Sequence, residues 1–365
     1  MYAKDIYLWN DALPNFSTYL PRDRYKNVSP EINAIREEIY DISQLKINNS
    51  THLPFEYLVH KSPKYSYVIE SPPFLKELSR SNRKLESNEV VMSQMNDIAY
   101  LAIHSFPTLK SIKSTLDDIF FEFSINNPTN IVLDLRYNNG GYIETVEYLA
   151  NLIAPSSLNG KVMYSEEFNQ TLQSGRSTFL KNQAYLDNQG KSIYINGRKA
   201  TLDDINFQEE ANTFLFNKVG QLESVRRIYF ITSETTASGS ELLISLFKPY
   251  INLQTVGKKT FGKPVGFLPI NVKNYSIFLS SFLIKNADGW SEYFDGIKPD
   301  LEAVLTISPN LGNPEENCLK RIVQDINKGR EIRQKNYKMT KKSIRDYNSI
   351  DIQPQIIKSN FSIKR

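Results

Sequence analysis

A single cysteine, Cys318, is all that the 365-residue chain contains, so neither a disulfide framework nor a thiolate metal site can be built within it. There are three histidines, His52, His60 and His104. None stands near a glycine-rich turn, which makes a Ser–His–Asp arrangement through His104 a poor fit. No apolar run reaches the roughly 18 residues that a membrane-crossing helix needs. The opening MYAKDIYLWN lacks the apolar core of an export signal. The chain is therefore expected to be cytoplasmic if complete, unless a signal has been removed ahead of it. Neither GxGxxG nor GxxxxGK[ST] occurs, which disfavours a phosphate-cradling loop. No long internal repeat is visible.

What is present is a well-stocked core, with 40% of residues hydrophobic. The formal net charge is +4, but it is unevenly placed. From Arg330 onward there are ten Lys or Arg and three Asp or Glu, so the basic excess belongs to the tail and the rest of the chain is slightly acidic. A solvated, partly disordered end is expected there. The body gives no reason to expect a nucleic-acid partner.

Taken in order, SPEINAIREEIYDI carries Ile32, Ile35, Ile39 and Ile42 at helical spacing, with Ser29-Pro30 as its start. A small, mainly helical N-terminal unit is expected, followed by a polar linker or short helix over 72–92. From residue 97 the pattern sharpens. DIAYLAIHSF reads as a strand and LKSIKSTLDDIFFEF as a helix. TNIVLDLRYNNGG reads as a buried strand ending in a glycine pair, and YIETVEYLANLIA as a second helix. Such alternation predicts βαβ units and a parallel core. Residues 156–220 are less regular apart from a strand at GKVMYSEEFNQ, and suggest a lid or surface excursion. FLPINVKNYSIFLSSFLIKNADGW predicts two antiparallel strands. NPEENCLKRIVQDINKG predicts a helix capped by Asn313, started by Pro314 and ended by Gly329. Its expected stripe is Leu319, Ile322, Val323 and Ile326, and Cys318 is expected to be a small buried residue.

The chain is organised around residues 226–266. The apolar run Ile228-Tyr229-Phe230-Ile231 ends in TASGSE and enters a helix-like segment. A second strand, Leu253 to Val256, leads into KTFGK. Ser238 would sit at a helix start, beside free N–H groups and the positive end of the dipole, which suits a nucleophile whose attack creates an oxyanion. The same Ser238-x-x-Glu241 spacing is also a plain capping box. With no histidine at hand, the candidate base is Lys263. A lysine serves if it is buried and its pKa falls toward neutrality, a shift of about three units that costs about 4 kcal/mol. The glycine pair Gly140-Gly141, between strand and helix, can aim N–H groups at an anion or merely make a tight turn.

Together, IVLDLRYNNGG, TASGSE and KTFGK resemble the motifs of the C-terminal processing, or tail-specific, serine proteases. Ser238 and Lys263 stand 25 residues apart, the spacing that family shows, and FDGIKPDLEA resembles its closing segment. YLWNDALP and LGNPEENCLKRIVQDI are similar to an envelope branch of Bacteroidetes-type bacteria, which implies a periplasmic or cell-envelope location. The resemblance covers about residues 95–330 well and the N-terminus loosely. It implies an α/β, crotonase-like ββα core and three parts. These are a mainly helical N-terminal domain and linker (1–94), the catalytic domain (95–330) and the basic tail (331–365).

Carried over residue by residue, Ser238 would be the nucleophile and Lys263 the general base. The N–H groups of Gly239 and of Gly141 (or Gly140) would form the oxyanion hole, with Glu241 and Thr260 supporting the site. No metal or cofactor is implied, and the partner would be a peptide or unfolded protein end. Two departures matter. Many members carry a Gln four residues after the lysine, where this chain has Phe267. The interval from Ile69 to Val91 is too short for the usual PDZ module. Both departures leave room for a rival reading, a degenerate homologue that binds peptides without cutting them. An acyl-CoA enzyme on the same core is disfavoured by the Ser–Lys pairing.

Overall fold

The structure, a computed structural model, describes residues 90–186, 191–272, 275–305, 311–328 and 361–364, with three short strands at 67–70, 342–344 and 355–357. Along the chain these form β1 (Tyr67–Glu70), β2 (Val90–Met95), β3 (Ile98–Ala102), α1 (Leu109–Asn126), β4 (Asn130–Asp134) and β5 (Gly140–Tyr142). Next come α2 (Ile143–Ile153), β6 (Val162–Phe168), α3 (Gln170–Gln173), β7 (Tyr194–Ile195), β8 (Arg198–Lys199) and β9 (Thr213–Leu215). There follow β10 (Arg227–Thr232), α4 (Gly239–Phe247), β11 (Asn252–Gly257), β12 (Val265–Val272) and β13 (Tyr275–Asn286). Last are β14 (Leu301–Glu302), α5 (Asn317–Ile326), β15 (Lys342–Ile344) and β16 (Gln355–Ile357).

The main sheet has the order β14-β11-β10-β4-β3-β2-β15. The five strands from β14 to β3 run parallel, and at the β3 edge β2 pairs antiparallel with β3 and β15 antiparallel with β2. The helices that follow β3, β5 and β10 supply the crossovers that parallel strands require. Alternation along β10 shows how the sheet is covered. Ile228 and Phe230 face a large core shared with α1, α2 and α4, whereas Tyr229 and Ile231 face a second cluster under α5. Each large apolar side chain buried in this way contributes about 1.5–3 kcal/mol. Helix α1 buries Ile112, Leu116, Ile119, Phe120 and Phe123, the positions its period sets, and stops at Asn127 in the left-handed conformation. A second sheet, built on β13 with β1, β6, β9 and β12, lies over the large core. The paired antiparallel strands expected after residue 264 are β12 and β13.

Three expectations need correction. The sheet begins at Val90, inside the segment read as linker, because Val90, Val91 and Met92 are buried apolar residues that pair with β3. Helix α5 starts at Asn317, with Glu316 and not Asn313 as its cap. The Asn313 side chain instead accepts the Glu315 N–H in a turn, while Glu316 Oε2 takes the N–H groups of Cys318 and Leu319. Third, described parts of the basic tail are docked. β15 extends the main sheet, β16 pairs with β5, and Phe361 is buried. Cys318 is a buried free thiol, as expected. The N-terminal helix around residues 32–42 and the stop at Gly329 lie outside the described residues.

Candidate active site

Strand β10 ends in Ser233-Glu234-Thr235-Thr236-Ala237, whose small hydroxyl residues bind the neighbouring β4–β5 loop. Thr236 Oγ1 donates to the Leu135 carbonyl at 2.8 Å, Thr235 Oγ1 to that of Arg136 at 3.0 Å, and Ser240 Oγ to that of Asn138 at 3.0 Å. Asn138 in turn holds its own loop. Its Nδ2 donates to Ile103 and its Oδ1 accepts the Gly140 N–H at 2.8 Å. Residues about a hundred apart in sequence are thus fixed side by side. Gly239 keeps this approach uncrowded, since with a side chain there its neighbours would have to give by a few tenths of an ångström. A Cβ there would meet Val146 and Phe106 side-chain atoms at 3.2 and 3.3 Å and the Gly140 Cα at 3.5 Å.

Gly140 and Gly141 adopt φ of 110° and 139°, which side chains avoid. A Cβ on Gly141 would lie 2.1 Å from the Phe106 carbonyl oxygen. Phe106 occupies one edge of β5. Its N–H donates to the Gly140 carbonyl at 3.0 Å and its carbonyl accepts the Tyr142 N–H at 2.8 Å. By the alternation of an extended chain, the amide of Gly141 faces the opposite edge.

Ser238 lies at the start of α4 with φ 59° and ψ −110°, an uncommon conformation for a residue with a side chain. Such strain, of order 1–3 kcal/mol, is typical of functional turns. Its hydroxyl is fully buried and makes no hydrogen bond, so it is not in hydrogen-bond contact with Lys263 here. Of the capping box, the return arm is the firm one: Glu241 Oε2 accepts the Ser238 N–H at 2.8 Å.

Glu241 does more than cap. The same Oε2 accepts the Lys263 N–H at 2.8 Å, and Oε1 accepts from Thr260 Oγ1 at 2.5 Å and from the Gly262 N–H at 2.6 Å. One carboxylate with no solvent exposure therefore joins the turn that carries Ser238 to the turn that carries Lys263. Burial pushes its pKa up, against four hydrogen bonds that favour the charged form. The buried Tyr293 hydroxyl is also pushed up, by burial first and by the Glu241 charge second. The lysine turn is clamped from its far side by the segment FDGI. The Thr260 N–H donates to the Ile297 carbonyl at 3.0 Å, and Thr260 Oγ1 accepts the Ile297 N–H at 2.7 Å. Gly262, at φ 90°, leaves no room for a Cβ beside Phe294 and Gly296.

Lys263 is 3% exposed, and its Nζ lies 4.5 Å from the centre of the Phe267 ring. Of the histidines, His104 packs against the edge of Tyr137 at 5.3 Å, and His52 and His60 lie outside the described residues. The structure therefore brings together the segments of Ser238, Gly239, Gly140, Gly141, Glu241, Thr260 and Lys263.

Sequence reasoning missed the braces. Arg136 sits buried between Asp134, with its Nη2 2.8 Å from Oδ2, and Glu316, with its Nη1 2.8 Å from Oε1. Tyr100 Oη donates to Asp134 at 2.7 Å. Burial alone would lower the Arg136 pKa, but the two carboxylates outweigh it and raise it. This network ties the loop that carries the glycine pair to the cap of α5. The available signal was an Arg two residues after Asp134, the last residue of an apolar strand, inside a run otherwise read as glycine-turn chemistry.

Solved structures similar to the chain include an S41 protease from Bacteroides fragilis, described as putative, at 21% identity and TM-score 0.47; 63% of this chain is covered. They also include a photosystem II D1 C-terminal processing protease at 14% identity and TM-score 0.40, over 65% of this chain. In both cases the match spans 54% of the other chain's length. A lipoprotein from Streptococcus agalactiae aligns at 17% identity and TM-score 0.44, over 88% of this chain and 94% of its own. No curated protein matches the sequence. The sequence profile of peptidase family S41 matches residues 97–303, a span that runs from β3 through both candidate turns to β14. The chain belongs to peptidase family S41.

Proposed function

We propose that the chain is a serine endopeptidase of the tail-specific kind, on a crotonase-like core, acting on peptides or unfolded protein ends. Ser238 Oγ attacks the scissile carbonyl carbon while the Lys263 amine takes its proton. The resulting oxyanion is held by the N–H groups of Gly239 and of Gly141 or Gly140. The C–N bond then breaks, Lys263 returns the proton to the leaving amine, and an acyl-Ser238 ester remains. Water activated by Lys263 cleaves that ester and restores the serine.

The observation that carries this reading is the Glu241 carboxylate, which accepts the backbone N–H groups of Ser238 and Lys263 at 2.8 Å each. It fixes two turns 25 residues apart in one place, which a helix cap alone has no need to do. Competence further requires the Ser238 hydroxyl to come within hydrogen-bond reach of the lysine amine, about 3 Å. Peptide binding without cleavage is the second reading, favoured by the unpartnered Ser238 hydroxyl. Incubating an unfolded protein with the wild-type chain and with Ser238→Ala separates the two. Fragments produced by the wild type alone support the peptidase, and intact substrate with both supports the binder.

A further inference from the structure

The chain's own C-terminal segment lies on the strand that carries the candidate oxyanion donors. β16 runs parallel to β5, with Gln355 opposite Gly140, Ile356 opposite Gly141 and Ile357 opposite Tyr142. Phe106 already occupies the other edge of β5 through the Gly140 carbonyl and the Tyr142 N–H. The edge taken by β16 is therefore the one that the Gly141 amide faces. An incoming peptide whose carbonyl is to meet that amide needs the same edge, and strand addition is a common way for enzymes and binding modules to hold extended peptides.

Two further observations fit an occupied cleft. Ser238 is 0% exposed and Lys263 3% exposed, so no substrate carbonyl reaches the nucleophile in this arrangement. The segment beyond β16 is anchored. The Phe361 N–H donates to Tyr185 Oη at 2.7 Å, the Asn206 N–H to the Ser362 carbonyl at 2.7 Å, and the Lys364 N–H to the Asp204 carbonyl at 2.8 Å. The Phe361 ring is buried against Tyr185 and Phe282. The anchor falls on the irregular excursion between β6 and β9, which gives that excursion a task.

We propose that residues 355–357 are an intramolecular occupant of the peptide site, an autoinhibitory strand that must leave β5 before a substrate strand can pair there. The proposal rests on the peptidase reading for its effect on turnover, but not for its effect on binding. Once the strand leaves, Gly141 regains the edge it needs as a donor. The Phe361 anchor keeps the segment nearby, so its return is an intramolecular event at high effective concentration.

Two comparisons test this. Ile357→Pro removes an N–H from the strand and is incompatible with regular pairing. In the full chain carrying Ser238→Ala, a fluorescein-labelled peptide of sequence DIQPQIIKSN should bind at least about tenfold more tightly when Ile357→Pro is added. In the active chain, Ile357→Pro should raise kcat/KM for a peptide substrate at least about fivefold. Conversely, Tyr142→Cys combined with Ile357→Cys, oxidised to the disulfide, should weaken binding of the labelled peptide at least about tenfold, reversibly on reduction. Equal binding with a folded Ile357→Pro, or with the disulfide closed and open, overturns the proposal. If no variant turns over substrate but the binding differences appear, the peptidase reading fails and the occupied site stands.

Discussion

The Nζ of Lys263 lies 4.5 Å from the centre of the Phe267 ring. Phe267 stands where the family resemblance leads one to expect a Gln, and it offers the lysine an aromatic face at that distance. An aromatic face attracts an ammonium by about 0.5–2 kcal/mol, more as water is excluded. Phe267→Leu should keep the packing but lose the ring face, lowering kcat about 2- to 30-fold with KM little changed. Phe267→Gln should retain more activity than Leu. Steady-state kinetics on one peptide checks both, and a Leu variant as active as the wild type would remove Phe267 from any positioning role.

Glu241 joins the two candidate turns, and its loss should be felt in both stability and rate. Glu241→Gln turns an acceptor-only group into one that presents an N–H₂ to donors. Each buried donor left unsatisfied costs about 1–3 kcal/mol. We expect a drop of about 3 kcal/mol in unfolding free energy and at least a hundredfold fall in kcat/KM. Thr260→Val, which removes one of four donors, should cost about 1–3 kcal/mol. Urea unfolding of the three proteins provides the measurement, and a Gln variant of wild-type stability would contradict the role.

Backbone shape at the glycine pair gives a sharper contrast. Gly141→Ala would place a Cβ 2.1 Å from the Phe106 oxygen at φ 139°, whereas Gly160→Ala, at φ 75°, meets nothing within 4 Å. The first should cost about 3 kcal/mol or more and abolish cleavage; the second should cost about 1 kcal/mol, the left-handed penalty alone, and leave cleavage intact. Similar melting temperatures for the two would mean that β5 is not held against Phe106 as described.

The Glu316 carboxyl sits below its ordinary value. Burial alone would raise it, but Arg136 and the N–H groups of Leu319 and Cys318 bring it down. A carboxyl lowered by folding adds stability that is fully present above the unfolded value of about 4.5 and is lost as pH falls through the lower folded value. Unfolding free energy should therefore fall on acidification below about pH 5, and Glu316→Gln should be less stable near pH 7 and flatter across that window. Parallel pH curves for wild type and variant would argue against the Arg136 network as an acid-labile brace.

Much of the fold was legible because its elements are long and periodic. The stripe of α1, the apolar run of β10 and the pair β12–β13 are set by local spacing, and the parallel core follows from their alternation. The candidate site was legible only as residue types. Ser238-x-x-Glu241 reads as a cap, and nothing local says that the same carboxylate also reaches Thr260, Gly262 and Lys263. Those bonds depend on where β11 returns the chain, a tertiary fact. Charge composition misled at the tail. Its ten lysines and arginines suggest a solvated end, yet a buried Phe361 and a few backbone bonds seat its described parts. The start of α5 moved because Glu316 is drawn to Arg136, a partner 180 residues away.

The most direct test of the Ser238–Lys263 assignment is kcat/KM for one peptide with Ser238→Ala, Lys263→Ala and the double variant, each confirmed to be folded. Residues that act as one unit are strongly non-additive. Each single variant should lose at least about a thousandfold, and the double variant should lose no more than the worse single. Lys263→Ala within tenfold of wild type, or a double-variant loss equal to the product of the single losses, would contradict the dyad.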